Sequence, residues 1–102
     1  MLNIYLNQVE QELDQLLILQ KMTSDFLRIA EDIYSVIDAS LDHDALKVVA
    51  LFDIARRQAE LTSIEVNIEL AHQTIRDLHN IRRTQRKERS IEQRDDEDIQ
   101  QQ

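Results

Sequence analysis

Neither a glycine nor a proline occurs anywhere in the 102 residues, and this excludes more folds than any other feature. Tight hairpin turns, left-handed helix caps and phosphate-cradling loops rely on glycine, which alone enters positive φ without a steric penalty. A compact β protein without either residue is not expected. Gly-rich nucleotide loops are ruled out, and with no cysteine so are thiol chemistry, disulfide frameworks and cysteine zinc sites. The hydrophobic share of 42% is near the globular average, so wholesale disorder is not expected either. The predicted fold class is all-α.

The spacing of apolar residues gives the predicted helices their partners. Leu2, Leu6, Val9, Leu13 and Leu16 recur at alternating intervals of four and three. Carried onward, the same register meets Gln20, Thr23, Leu27, Ala30, Tyr34, Ile37 and Leu41. A 3.5-residue repeat held this long describes one helix side laid against a partner helix. The reading is one helix from residue 2 to about residue 39, with a break at residues 23–25 (Thr-Ser-Asp) as the competing possibility. Residues 38–44, Asp-Ala-Ser-Leu-Asp-His-Asp, form the best turn, where Ser40 or Asp42 can cap the next helix.

From Ala45 the helical pattern resumes, and a second stripe runs through Ile54, Arg57, Leu61, Ile64, Ile68, Ala71, Ile75 and Leu78. Thr62 and Glu65 have capping-box spacing, but the stripe crosses them unbroken. Two long helices and one short turn predict an antiparallel hairpin over residues 1–88, with partner numbers adding to about 86. Residues 89–102 lose the apolar period and are expected to be a frayed or disordered charged tail. The alternative is a single-chain four-helix bundle, broken at Thr23–Asp25 and at Thr62–Ser63.

The first helix carries more apolar surface than one partner can cover. Leu19, Met22, Phe26, Ile29, Ile33 and Val36 make a second seam beside the first. In the second helix, residues 45–55 are apolar almost all round, with Lys47 and Asp53 as the only charges. The expected interaction surface comprises that second seam with Val48, Leu51 and Phe52. Its expected cover is a second copy, making a dimeric four-helix bundle, or a partner protein that presents an amphipathic helix. The polar seam residues Gln20, Thr23 and Arg57 are expected to restrict register and oligomer number.

Charge and chemistry narrow the function by exclusion. The net charge of −8 is uneven: residues 82–94 hold six basic side chains against two acidic, and residues 95–98 are all acidic. Arg82, Arg83, Arg86, Lys87 and Arg89 are the candidate nucleic-acid contacts. They lack interleaved aromatics for stacking on bases, and their expected role is to complement the helix end and the acidic tail. Glu69 and His72 have the E-x-x-H spacing of di-iron helices but fall off the core stripe, so no metal is expected. The segment around His79, and His43 with Lys47 one turn on, resemble the phospho-accepting helices of histidine kinases and phosphotransfer domains. Those families place a small glycine close behind the histidine, which this chain does not contain. No enzyme activity and no cofactor are expected.

The function read from the sequence is a non-catalytic, self-associating adaptor or chaperone-type protein that covers a partner's amphipathic helix. The alternative is a small regulator or inhibitor, of the kind mobile elements encode, acting through its basic helix end on nucleic acid or an acidic host protein. No stretch reaches the roughly 18 apolar residues of a membrane span, and no export signal is read at the N-terminus, so a cytoplasmic setting without membrane contact is expected.

Overall fold

A computed structural model describes residues 1–40 and 44–101, with side chains described through Arg89. Two helices account for it: α1 over Leu2–Asp38 and α2 over Asp44–Gln101. They run antiparallel as a hairpin measuring 93 × 16 × 14 Å. Helix α1 starts without a side-chain cap, and its first bond is from Tyr5 N–H to the Met1 carbonyl at 3.1 Å. At the other end the Ala39 and Ser40 amides close onto the Ser35 and Ile37 carbonyls. Leu41, Asp42 and His43, which belong to the predicted turn, lie outside the described residues.

Neither helix breaks where its polar residues permitted a turn. Helix α1 passes through Thr23, Ser24 and Asp25, and α2 through Thr62 and Ser63, so the single-chain four-helix alternative does not form. The physical reason is visible at Thr62, which donates to the Gln58 carbonyl at 3.0 Å, as Ser35, Thr74 and Thr84 do one turn back elsewhere in the two helices. Bonding to the i−4 carbonyl satisfies the hydroxyl inside a helix that contains no residue to stop it. At the C-terminus the backbone of α2 is helical to Gln101. Residues 89–101 are mostly Glu, Gln, Arg and Asp; most of these propagate a helix without help from packing.

The hairpin register matches the predicted one closely. At the open end Arg82 donates to Asn3 Oδ1 at 3.4 Å, and near the turn Lys47 pairs with Asp38 at 3.7 Å. Both pairs have residue numbers adding to 85. Every described residue of the two predicted seams is buried or half-buried, from Leu2 to Ile37 and from Ile54 to Leu78.

The core is thin and lies at one end. Leu6, Val9, Ala71 and Leu78 form its buried cluster, with Leu2, Leu13, Leu16 and Ile75 packed against it. In the half nearer the turn no side chain is buried among the described residues. There the seam carries Gln20, Thr23, Ala30 and Arg57, which are polar or small, and each helix has only one neighbour. The chain exposes 8356 Å², where a compact monomer of its mass exposes about 6,000 Å². Elongation accounts for some of that excess, and uncovered apolar side chains for another part.

Candidate functional site: an apolar flank near the turn

The nine apolar residues that the sequence singles out are all largely exposed. Fractional exposure runs from 47% at Leu19 to 74% at Val36. Which of them share a surface is set by the 100° step of the helix. The second seam of α1 lies on one flank of the hairpin. There Phe26, Ile29 and Ile33 line a groove whose other wall is Ala50, Asp53 and Arg57 of α2. Asp53 also borders a shallow hollow with Val49, Phe52 and Arg56. The α2 contribution to this flank is therefore Leu46, Val49 and, at its edge, Phe52. Val48 and Leu51 fall one to two residues off that spacing and face the opposite flank, so the expected surface is divided between two sides.

Leu46 and Val49 are thus flank residues that the sequence reading passed over. Their signal was present, as positions 46, 49, 53 and 56 repeat at three and four beside the α2 seam. It was hidden because residues 45–55 are apolar almost all round, which gives no side to choose. Toward the open end the same flank continues as a groove between Tyr5, Leu16 and Leu19 of α1 and Asn67, Leu70 and Thr74 of α2. The opposite flank is polar where it is grooved, between Gln20, Lys21, Ser24 and Asp25 on one side and Leu61 and Glu65 on the other.

One charged cluster sits within the apolar flank. Asp53 accepts from Arg56 at 2.6 Å and from Arg57 at 3.0 Å. The Arg57 guanidinium also lies 6.0 Å from the centre of the Phe26 ring, within reach of a cation–π contact. These bonds, first from Arg57 and then from Arg56, hold the Asp53 carboxyl below the ordinary aspartate range. A carboxylate whose pKa is depressed on folding contributes stability above its unfolded pKa and loses it as pH falls through the folded value. Asp53→Asn is therefore expected to lower the unfolding midpoint modestly at pH 7. The gap to the wild type should close as the pH is taken below 3.8, the ordinary aspartate value. Thermal melts across pH 2–7 read both, and a gap that stays constant with pH contradicts the assignment.

The five basic candidates do not form one surface. Arg82 is half-buried, bonded to Asn3 and 3.3 Å from His79 Nδ1. Arg86 and Arg89 join it in a cleft beside Met1, Leu2 and Asn3 at the start of α1. Arg83 and Lys87 are exposed and lie about 100° and 140° around the helix from Arg82. His79 is half-buried beside Arg82, and His43 lies outside the described residues. Glu69 and His72 are both exposed, and no group of metal-ligating side chains gathers among the described residues. Among these residues no helix is long and apolar enough to cross a membrane. In comparisons with known proteins the chain matches no family model, no curated protein and no solved structure.

Proposed function

We propose that this chain is a non-catalytic protein–protein interaction module. In this reading it is a self-associating adaptor or chaperone-type hairpin, and its apolar flank covers amphipathic helix surface. The observation that carries the reading is the flank of Leu19, Met22, Phe26, Ile29, Ile33 and Val36 with Leu46, Val49 and Phe52, each at least 47% exposed. Fully burying one such side chain is worth about 1.5–3 kcal/mol, and contiguous apolar patches beyond a few hundred Å² are rare on monomers. A second copy covers the flank in the resting state, as a dimeric four-helix bundle. A partner's amphipathic helix competes for the same side chains, and a cytoplasmic setting belongs to the same reading.

A second reading has one supporting observation: Arg82, Arg86 and Arg89 converge where the positive end of the α1 dipole lies. It makes the chain a regulator that docks this end on nucleic acid or an acidic protein. Salt separates the two. Apolar association is expected to survive about 1 M salt, where the screening length falls to ~3 Å, whereas phosphate-driven binding is lost by orders of magnitude. Neutralising Arg82, Arg83, Arg86 and Lys87 is expected to leave self-association intact. Salt-labile binding to duplex DNA that disappears in that variant would favour the regulator instead.

A further inference from the structure

The apolar flank also contains enough geometry to orient the second copy. This step rests on the self-association proposed above. We infer that two hairpins pack flank to flank in an antiparallel sense, about a two-fold axis perpendicular to their length. That axis passes between Leu27 and Arg28 on α1 and beside Gln58 on α2.

Two arrangements bring a flank onto its own copy. In the parallel one, both turns lie at the same end and α1 packs on α2 of the second copy. At the observed register the centre of the α1 seam then faces polar and charged side chains, Met22 meeting Ser63, Phe26 lying beside Glu60 and Ile29 meeting Arg56, and only its ends find apolar partners, Leu19 at Val66, Ile33 at Phe52 and Val36 at Val49. In the antiparallel one, α1 packs on α1 and α2 on α2. The α1 seam reads the same in both directions, so Leu19 faces Val36 of the second copy, Met22 faces Ile33, and Phe26 faces Ile29. Each of these six side chains is about half exposed or more in the single hairpin.

Helix α2 supplies an independent check on this register. The Asn3–Arg82 and Asp38–Lys47 pairs fix which α2 residues lie level with the α1 axis. Carried across, to within one residue, they place Leu46 opposite Leu70 of the second copy and Arg56 opposite Glu60. Leu46 and Leu70 are exposed hydrophobics, at 47% and 60%. At the same register Val49 meets Asn67 and Asp53 meets Ser63. Arg56 is exposed and bonded only within its own helix, to Asp53. Leu46 thus meets an apolar residue and Arg56 an anion, while Val49 and Asp53 meet uncharged polar side chains.

The area is sufficient. Nine side chains of roughly 150–200 Å² each, about half exposed, offer on the order of 800–900 Å² per copy, close to the ~800 Å² per partner of a stable interface.

A mixing experiment reads the Arg56–Glu60 contact directly. Arg56→Glu and Glu60→Arg are made separately. Each variant faces its own copy with like charges, so each is expected to self-associate at least tenfold more weakly than the wild type. Mixed in equal amounts they are complementary at both symmetry-related contacts and are expected to regain wild-type association as a heterodimer. An effect confined within one helix cannot be rescued by mixing. The overall sense is read from one spin label at Asn7→Cys, in a chain with no other cysteine. The antiparallel dimer separates the two labels by roughly 60 Å, at about 1.5 Å per residue. A parallel bundle, with helix axes 8–10 Å apart, brings them within about 35 Å. A dimer with short label distances, or variants that fail to rescue each other, overturns the orientation while leaving self-association standing. A wild-type monomer overturns both.

Discussion

Phe26→Asp is expected to abolish self-association while leaving the hairpin helical. Phe26 is half exposed, flanks the intrachain seam rather than belonging to it, and lines the groove with Ile29, Ile33 and Asp53. In a two-fold dimer the substitution acts twice. It removes two aromatic contacts worth about 1.5–3 kcal/mol each and leaves a carboxylate against apolar surface. On that scale the dissociation constant rises by at least a hundredfold. Sedimentation velocity is expected to show only the 12.1 kDa species, with unchanged far-ultraviolet helicity. Phe52→Asp tests the α2 edge of the flank and is expected to weaken association less, because Phe52 sits at that edge. If Phe26→Asp sediments as the wild type does, the flank is not the interface.

Leu78→Ala carries the second large effect, on stability rather than association. Leu78 is 7% exposed and belongs to the four-residue cluster with Leu6, Val9 and Ala71 that closes the open end of the hairpin. Truncating a buried leucine costs about 2–4 kcal/mol, partly for lost transfer and partly for the cavity. With only five buried hydrophobic side chains among those described, few other contacts can compensate. A fall in the unfolding midpoint of roughly 10–20 °C is expected from that loss. Leu46→Ala, which removes a side chain 47% exposed in the single hairpin, is expected to act mainly through the dimer. Its effect on the midpoint should therefore depend on protein concentration, and that of Leu78→Ala should not to the same degree. Denaturation at two concentrations distinguishes them.

Much of the hairpin is legible in the letters because a heptad repeat encodes both partners at once. The residues from Leu2 to Ile37 and from Ile54 to Leu78 that repeat at three and four are those that turn inward. The register was legible for the same reason, since a short turn between two such seams leaves little freedom to slide. What periodicity does not encode is whether a helix continues through a hydroxyl or a charge. Thr62 with Glu65 reads as a capping box, yet in the folded chain Thr62 bonds back to Gln58 and the helix proceeds. Only the competition between those two hydrogen bonds decides the outcome, and both use the same residue types. Loss of apolar spacing does not by itself end a helix, and the α2 backbone runs on to Gln101.

The candidate site was half legible. The α1 seam from Leu19 to Val36 has a clean period and lies together on one flank. Residues 45–55 have no polar side to orient them, so sequence could identify the segment but not divide it. Leu46 and Val49 join the flank, and Val48 and Leu51 turn away from it. The Asp53–Arg56–Arg57 cluster was missed because Arg57 reads as a lone polar residue in the seam. Its partners become apparent only when residues three and four apart are placed one turn away on the same helix face.

If a second copy covers the apolar flank near the turn, the hairpin is a dimer in solution. Absolute mass by light scattering on a sizing column, over a hundredfold range of concentration, decides it. Twice 12.1 kDa is expected at all but the lowest concentrations, falling toward 12.1 kDa only on dilution. A concentration-independent mass of 12.1 kDa would contradict it, because nine largely exposed apolar side chains would then remain in water with nothing to cover them.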